Sequence, residues 1–504
     1  MEPSIENLVQ WCLTHGIVMG KKRDIMDNSK IHSSVDHAPF SLRPYEFPDQ
    51  EFRKAISLST LFNKLIISVA QDKEWLMETL HQTAENDDFT RHLRDLYLSS
   101  LSLSSSNPIS LSINRSDYML HSPSLSPSLS SSPSQTHRSL MQVELNTIAA
   151  SFGSLSSQIS EMHRLFYSRS SSPSEDIPVN NTLQGISAAL SATHIAYITT
   201  HHSSLSVSPS TLTHDVCILM IVQPGERNFA DQKHIEFALA HTHRVKVIRY
   251  SLSQLSSRVS LSLSHSGALM VRCERERNGE TEREDVVMEV SVVYFRAGYG
   301  PEDYTDEMCW RTREIIEKSY AVKCPSLSHQ LVGTKKVQQQ LAEKGVLERF
   351  ISDEREREAV REVFAGLYSL EGEEGERMAR EGERERDKYV LKPQREGGGH
   401  NYYGHELKHM LATMSERERA AYILMQRIIP PVQESVLVRE GKAEKTNCVC
   451  ELGVFGVYLS VSGRIEINDC AGHLLRVKPQ QADEGGVNAG YSVLSSPLLK
   501  RESS

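Results

Sequence analysis

The stretch VLKPQREGGGHNYYGHEL, from Val390 to Leu407, sets three consecutive glycines directly after Glu396 and places Lys392 four residues before that carboxylate. Backbone N–H groups of consecutive glycines can approach an anion without side-chain obstruction, and such a loop can close over a ligand. A lysine supplies positive charge for a phosphate, and a glutamate supplies the hard oxygen ligand that Mg²⁺ prefers. We therefore expect a phosphate-binding loop that closes as a lid.

The segments around this loop indicate an antiparallel layer. Apolar runs beginning at Lys388, Ala421, Asn447 and Gly463 read as strands, and the turn SVSGRIE between the last two is typical of a hairpin. An antiparallel layer that carries a glycine loop suits a nucleotide clamp.

A different rhythm precedes it. DVCILMIVQ from Asp215 reads as a buried strand, DQKHIEFALAHTH as a helix, and RVKVIRY and EDVVMEVSVVYFRAGYG as further strands. This alternation predicts an α/β unit from about Asp215 to Val332, with polar loops gathered where the strands end.

A candidate ligand set lies in MQVELNTIAASFG, where Glu144 and Asn146 alternate with apolar residues. On a strand the two side chains point to one face, although a half-buried strand with its polar face in water is the commoner case. Together with Glu396, they could hold Mg²⁺ between ATP phosphates and a substrate carboxylate.

Composition narrows the function classes. The chain has 504 residues, a net charge of −9 and eight scattered cysteines, so we expect two to three domains, no nucleic-acid or membrane partner, and neither a disulfide framework nor a zinc site. The start of the chain has helical apolar spacing unlike a secretion signal, which favours the cytosol. The sequons at Asn114 and Asn180 are read as chance matches.

Two kinds of low-complexity sequence interrupt the chain. Ser-Leu tracts begin at Ser99, Ser122, Ser168, Ser203 and Ser256, and Glu-Arg runs begin at positions 274, 354, 383 and 416. Both could come from dinucleotide repeats in DNA, so we interpret them as insertions or gene-model errors. The alternative for the Ser-rich tracts is a phosphorylated linker, and the Glu-Arg runs are most simply solvated helix faces.

Two other kinds of site compete with the nucleotide interpretation. VGTKKVQQQL from Val332 lacks the earlier glycine and the Ser or Thr of a P-loop, although Lys335 could still reach a phosphate. HELKH places His405, Glu406 and His409 in the pattern of a zinc protease, but no third ligand is evident, so a chance match on a solvated helix is favoured.

Many blocks match one known family in order. NRSDYML, VELNTIAASFG, ERNFADQ, VVYFRAGYGPEDY, GTKKVQQQL, FAGLYSL, LKPQREGGGHNYYG, ELGVFGVYL, and GHLLRVK followed by EGGVNAG resemble the eukaryotic glutathione synthetases between about Asn114 and Gly490. The resemblance implies an ATP-grasp fold of mixed α+β and α/β character, with an inserted α/β substrate-binding domain and a Gly-rich lid. It divides the chain into an N-terminal part of the body (1–214), the substrate-binding domain (215–332) and a nucleotide-binding part (333–504).

The same resemblance implies a cytosolic homodimer that uses ATP and Mg²⁺ to join γ-glutamylcysteine to glycine. The residues it assigns to Mg²⁺ are Glu144, Asn146 and Glu396. Those it assigns to ATP are Glu144, Lys335, Lys392, Glu396, Gly397, Gly398, Gly399, Asn401, Tyr403, Met425, Gln426, Arg427, Ile428, Glu451, Lys478 and Glu484. Those it assigns to substrates are Arg115, Ile148, Ala149, Ala150, Ser151, Glu226, Arg227, Asn228, Gln232, Arg296, Ala297, Gly298, Tyr299, Arg476, Val487 and Asn488. Arg115, Ser151, Gly398 and Arg476 are the expected catalytic residues.

Some positions depart from the family. Asn488 stands where an alanine is found, at the expected acceptor pocket, so a ligase that takes β-alanine is one alternative. The Ser-Leu tract before Asn114 replaces the sequence that forms the helix and the strand positioning Arg115 in the family. We therefore expect this tract to impair folding there. A non-catalytic relative that keeps the fold is therefore a second alternative.

Overall fold

The computed structural model describes residues 3–21, 34–101, 107–122, 138–167, 176–202, 215–257, 259–276, 283–395 and 399–501. Its helices are α1 (Ile5–Thr14), α2 (Asp49–Gln71), α3 (Lys73–Asn86), α4 (Asp88–Leu101), α5 (Gly153–Tyr167), α6 (Thr182–His202), α7 (Phe229–His241), α8 (Leu252–Ser257), α9 (Glu307–Lys318), α10 (Leu327–Val332), α11 (Lys335–Leu341), α12 (Leu347–Phe350), α13 (Glu354–Arg361), α14 (Gly372–Arg384), α15 (Gly404–Thr413) and α16 (Glu416–Arg419). Its strands are β1 (Val18–Gly20), β2 (Val35–His37), β3 (Phe40–Ser41), β4 (Tyr45–Pro48), β5 (Ile109–His121), β6 (Ser139–Asn146), β7 (Asp215–Ile221), β8 (Lys246–Tyr250), β9 (Ser260–Leu263), β10 (Leu269–Glu276), β11 (Arg283–Phe295), β12 (Val322–Cys324), β13 (Leu367–Ser369), β14 (Tyr389–Pro393), β15 (Tyr422–Gln426), β16 (Gln433–Arg439), β17 (Lys442–Val461), β18 (Arg464–Pro479), β19 (Val493–Ser495) and β20 (Pro497–Lys500).

The largest sheet has seven strands in the order β16-β3-β19-β18-β17-β5-β6. Its centre is the predicted antiparallel hairpin, β17 and β18, which turns at Ser462 and Gly463 with positive φ values of 51° and 80°. Glycine adopts such a conformation without strain, which is why SVSG makes a tight turn. The hairpin prediction is confirmed.

The predicted α/β unit is also present. β7 pairs in parallel with both β8 and β11, β12 pairs in parallel with β11, and α7 connects β7 to β8. The continuous apolar run Cys217 to Ile221 is fully buried, as expected for a central parallel strand. Antiparallel β10 and β9 extend the sheet beyond β11.

A third, small sheet carries the opening stretch. Its strand order is β13-β15-β14, all antiparallel, and its core consists of Leu391 and Leu424 from the strands with Met378, Leu407 and Leu411 from α14 and α15. In the sequence, the glycine stretch lies between β14, an edge strand of this sheet, and α15.

The first Ser-Leu tract contributes to a helix and to a strand. For the residues that the structure describes, the expectation that the tract disrupts these two elements is therefore wrong. α4 ends at Leu101 and β5 begins at Ile109, inside the tract, so the tract itself supplies the start of the strand that delivers Arg115. Alternating Ser and Leu fits a strand, and Leu111 and Ile113 are buried in the core.

The Glu-Arg runs behave as predicted in part. The run at 354 lies in α13 and the run at 416 forms α16, both mainly exposed, whereas residues 274–276 lie in β10, so the helix prediction is wrong at that run. The eight cysteines are free thiols. Asn114 and Asn180 are buried, which agrees with the reading of their sequons as chance matches. Within the described ranges, no helix combines the length and the apolar character that crossing a membrane requires.

Candidate functional site

A cavity of about 530 Å³ is lined by residues from β5, β6, β14, β15, β17 and β18 and from the loops that follow them. It brings together most of the residues predicted from the sequence. These are Arg115, Glu144, Asn146, Ile148, Ala149, Ala150, Ser151, Glu226, Asn228, Arg296, Tyr299, Lys392, Asn401, Tyr403, Met425, Gln426, Arg427, Ile428, Glu451, Arg476, Lys478, Glu484, Val487 and Asn488.

Three of the predicted residues, Glu396, Gly397 and Gly398, lie outside the described residues. Lys335 and Gly399 do not line the cavity but contact residues that do, Glu144 and Glu484 respectively.

Four residues that were predicted to contact substrates do not line the cavity. Arg227 donates to the carbonyl oxygens of Gly20 (2.9 Å) and Asn488 (2.6 Å), so it braces the Asn488 loop. Gln232 is buried and accepts from Arg249. Ala297 and Gly298 turn the chain beside the cavity, with Gly298 at a φ of 93°.

At one end of the cavity, the carboxylate of Glu144 lies among lysines. Nζ of Lys335 lies 3.1 Å from Glu144, and Nζ of Lys392 donates to the carbonyl oxygen of Val143 at 2.9 Å. Burial would raise the pKa of Glu144, but Lys335, Lys392 and the nearby arginines hold that pKa well below its usual range. Burial lowers the pKa of Lys392, which Glu144 partly offsets. Glu144 is therefore ionised at neutral pH.

Lys335 opens α11, a position at which a lone lysine more often faces solvent, although the sequence predicted that it contacts ATP. It is buried, with 4% of its surface exposed, because α11 packs against β6. Gln338, one turn further along α11, bonds to both backbone groups of Leu145 at 2.9 and 3.2 Å, which places Lys335 over Glu144.

The centre of the cavity wall holds a charge cluster that sequence patterns did not reveal in full. Asp117 is fully buried on β5 and accepts from Arg115, from Asn146 and from Arg476. Arg476 also donates to Glu451, its partner in the β17–β18 register. Burial raises the pKa of Glu451 above its usual value, although Arg476 acts in the opposite sense.

A second buried carboxylate, Asp231 in the first turn of α7, orders the opposite wall. It accepts from the backbone N–H groups of Phe152 (3.0 Å) and Ser154 (2.9 Å) at the start of α5, and from Nη2 of Arg296 at 2.9 Å. Nε and Nη1 of Arg296 are buried without a hydrogen-bond partner among the described residues. The cavity thus presents a fixed cation whose donors are not all used within the described part of the chain.

The loop from 482 to 489 closes the cavity beside the glycine stretch. The carboxylate of Glu484 accepts from the backbone N–H groups of Gly399 (3.0 Å) and Asn401 (3.1 Å). Asp483 accepts from Arg427 at 2.7 Å, and the Arg427 guanidinium lies 5.6 Å from the centre of the Tyr403 ring. Backbone amides of the glycine stretch therefore already hold an anion.

Sequence reasoning missed part of the lining. The apolar members Met119, Val390, Val449 and Ile429 supply a wall that suits a planar base. Their only sequence signal is that they belong to predicted strands or follow them. Asp117 and Asp231 stand inside the matching blocks NRSDYML and ERNFADQ, but nothing in their spacing shows what they contact.

The zinc-protease alternative gains no support from the geometry. His405, Glu406 and His409 are exposed on α15. Across the described ranges, no group of three or more His, Cys, Asp or Glu side chains is arranged to hold a metal ion.

Comparisons with known proteins agree with one another. A family model described as "Eukaryotic glutathione synthase, ATP binding domain" matches residues 1–499. The chain is 38% identical to glutathione synthetase of Homo sapiens over 469 residues, covering 92% of this chain and 90% of that protein. It is 34% identical to the Dictyostelium discoideum glutathione synthetase, covering 99% and 100%, and 35% identical to the chloroplastic glutathione synthetase of Solanum lycopersicum, covering 97% and 82%.

Among solved structures, a glutathione synthetase-like effector from Globodera pallida aligns with a TM-score of 0.69 at 20% identity, covering 98% of this chain and 96% of that chain. At that identity the likeness supports the fold alone, a mixed α/β architecture. The full-length family match and the identities above establish the relationship, and the chain belongs to the eukaryotic glutathione synthase family.

Proposed function

We propose that the protein is a glutathione synthetase, an ATP-dependent ligase that joins γ-glutamylcysteine to glycine and releases glutathione, ADP and phosphate. The observation that carries the proposal is the gathering of the family's motif residues around one cavity in a chain that matches the family over residues 1–499. One cavity with cations at several points suits a reaction whose three substrates each carry a carboxylate or phosphate group.

ATP binds, in this proposal, in an ATP-grasp arrangement between the small sheet and the largest sheet. The adenine lies beside the backbone of Met425 to Ile428, and the phosphates meet Lys335, Lys392 and the glycine stretch as a lid. Both sheets contribute lining residues to the cavity, which supports this placement. The division at 214 and 332 into body, substrate-binding and nucleotide-binding parts belongs to the same proposal.

Mg²⁺ fits the residues present. Glu144 and Asn146 offer a carboxylate and an amide oxygen from one face of β6, and the low pKa of Glu144 keeps it ionised. Mg²⁺ commonly takes one or two protein carboxylates together with substrate phosphates, so a small protein donor set is sufficient. When bound, the ion would neutralise phosphate charge, with Glu396 as the further protein ligand.

The substrates' carboxylates meet arginines. Arg115 and Arg296 bind γ-glutamylcysteine, with the stretches 148–151 and 226–228 around it, and Arg476 binds the glycine carboxylate with the backbone of Val487 and Asn488. A guanidinium forms two parallel hydrogen bonds to a carboxylate, which a lysine cannot do. The buried, incompletely paired Arg296 supports its part in this assignment.

The chemistry follows from these positions. A carboxylate oxygen of γ-glutamylcysteine attacks the γ-phosphorus of ATP, and the bond to ADP breaks. The glycine amine then attacks the resulting acyl phosphate, loses a proton and expels phosphate. The lysines stabilise the charge on the transferred group, and the arginines align both carboxylates. No protein nucleophile is needed.

The cellular setting is proposed from the cysteines. Eight free thiols fit a reducing compartment such as the cytosol, although the tomato relative is a chloroplastic protein by name. A homodimer is part of the same proposal, and sedimentation of the purified protein tests it.

The decisive assay measures ADP release by purified protein with ATP and Mg²⁺. Release that needs both γ-glutamylcysteine and glycine supports the proposal. Folded protein that releases no ADP would instead be the non-catalytic relative, and faster turnover with β-alanine than with glycine would identify the alternative acceptor.

A further inference from the structure

We propose that Asp117 is a positioning residue for this ligation: it fixes Arg115 and Arg476, the guanidinium groups that face the two carboxylate-bearing substrates, and sets the orientation of the Asn146 amide. The inference rests on the proposed function and goes beyond it, because Asp117 does not line the cavity and reaches the substrates only through its neighbours.

The hydrogen bonds of Asp117 come from three strands. Oδ1 accepts from Nε of Arg115 at 2.6 Å, and Oδ2 accepts from Nη2 of Arg115 at 2.7 Å. Oδ2 also accepts from Nη2 of Arg476 at 3.0 Å and from Nδ2 of Asn146 at 3.0 Å. An ionised carboxylate has about four acceptor positions, so four donors match its capacity in number, with three of them on Oδ2.

Strand register explains how the groups meet. Arg115 and Asp117 are two residues apart on β5 and share a face, while Arg115 pairs with Asn146 across β6. Arg476 belongs to β18, so it reaches across β17, where Gly453 pairs with Asp117. A Cβ at Gly453 would lie 2.7 Å from Oδ1 of Asp117 and 2.8 Å from Cδ of Arg115. The glycine thus leaves the space in which this ion cluster packs.

The bonds leave a defined edge of Arg115 for a ligand. A guanidinium has five N–H donors; two bind Asp117 and one on Nη1 binds the carbonyl oxygen of Ser151 at 3.1 Å. One N–H of Nη1 and one of Nη2 remain beyond these bonds, and donors on two neighbouring nitrogens can bind a carboxylate. Rotation of the guanidinium is prevented as long as Asp117 holds the other edge.

Asp117 also balances charge and orients an amide. The negative charge of Asp117 lies between two guanidiniums, and Arg476 shares its positive charge with Glu451 as well. Nδ2 of Asn146 donates to Asp117 at 3.0 Å and to Oε1 of Glu144 at 3.3 Å, so Asp117 helps to fix the orientation of that amide. Loss of the Asp117 charge would therefore disturb the substrate arginines before it disturbs the lysines around Glu144.

The test compares Asp117→Asn with Glu289→Gln. Asparagine has the same shape but turns an NH₂ group toward groups that all donate. Glu289 is an equally buried carboxylate, with 3% exposed, which accepts from Tyr197 and His202 and does not line the cavity, so it controls for the loss of a buried charge. Steady-state kinetics for each substrate, calorimetric binding of γ-glutamylcysteine without ATP, and thermal melting are measured for both variants and for the unaltered protein.

We expect Asp117→Asn to lower kcat/KM for γ-glutamylcysteine and for glycine by about 100-fold, as for misplacement of reacting groups, and to weaken calorimetric binding of γ-glutamylcysteine. The KM for ATP should stay within about threefold, and Glu289→Gln should keep all three KM values within the same range. An inactive but folded unaltered protein would overturn the proposed function. An active protein whose Asp117→Asn variant has ordinary kinetics, or changes all three KM values alike, would overturn this inference only.

If Asp117→Asn does not fold, Gly453→Ala decides. The added methyl group would occupy space beside the Asp117–Arg115 pair and displace it, while every charged group is retained. We expect the same selective loss for γ-glutamylcysteine and glycine, and a Gly453→Ala protein with unchanged kinetics for both substrates would overturn the inference.

Discussion

Nζ of Lys335 lies 3.1 Å from a carboxylate oxygen of Glu144, although the two residues are almost two hundred positions apart in the chain. Gln338 fastens α11 to β6 through the backbone of Leu145, which holds the two side chains together. A cation and the carboxylate that we propose as a Mg²⁺ ligand thus lie side by side, which reduces the reorganisation needed when a phosphate arrives.

Replacing Lys335 should affect ATP before the other substrates. We expect Lys335→Met to lower kcat/KM for ATP by at least about 100-fold, the order found when one preorganised donor to developing charge is removed. The matched control is Lys344→Met, which changes an exposed lysine just beyond the same helix. Initial rates at varied ATP measure both, and a near-normal rate for Lys335→Met would show that this lysine does not reach the phosphates.

Local patterns predicted what depends on neighbours in the sequence. The β17–β18 hairpin follows from SVSG, the face shared by Glu144 and Asn146 follows from alternation on β6, and the parallel unit follows from strand-helix-strand rhythm. Each of these features is set within about twenty residues, where turn chemistry and periodicity act directly.

Features that need distant strands to meet were not predictable in this way. Asp117 meets Arg476 only because β5 and β18 flank the same strand, β17. Asp231 meets Arg296 only through the parallel register of a second sheet. The burial of Lys335 and the strand formed by a Ser-Leu tract likewise depend on what packs over them. Tertiary context there overrides the usual preference of the residue type.

The glutamate before the glycines gives the second test of the phosphate site. Glu396→Gln should abolish turnover with little change in melting temperature, because it removes a proposed metal ligand and leaves a side chain of nearly the same size. Glu406→Gln is the control: Glu406 is exposed on α15 and would be the general base of the zinc-protease alternative. Near-normal turnover by Glu396→Gln would misplace the metal, and loss of turnover in Glu406→Gln alone would revive the zinc alternative.

Asn488 governs the acceptor pocket in our proposal. Its Nδ2 donates to Glu226 at 3.3 Å, and its carbonyl oxygen is held by Arg227, so the side chain lies across the cavity mouth. Asn488→Ala removes this side chain without releasing the backbone contact. We expect the ratio of kcat/KM for β-alanine to that for glycine to rise about 10-fold, the lower end of the range that one methylene is worth in a fitted pocket. Competition assays with both acceptors measure the ratio, and an unchanged ratio would remove Asn488 from the specificity determinants.

Buried histidines should make the fold sensitive to mild acid. Burial lowers the pKa of His163 to about 4 from its ordinary value of 6.5, while the ring bonds Ser496 and the carbonyl oxygen of Ser41. Below pH 6.5, His163 binds a proton in the unfolded chain but not in the folded protein. The free energy of unfolding therefore falls as the pH drops. The fall continues until the pH approaches 4, where the folded protein also takes the proton.

The slope of that fall can be measured. One such histidine contributes up to about 1.4 kcal/mol per pH unit, and His194 and His329, whose pKa values burial also lowers to about 4, add in the same sense. We expect His163→Gln, compared with His405→Gln on the exposed face of α15, to flatten the slope between pH 6 and 4.5 by roughly 1 kcal/mol per unit. Urea unfolding at a series of pH values gives both slopes. Parallel slopes for the two variants would mean that His163 takes up its proton while the protein is still folded.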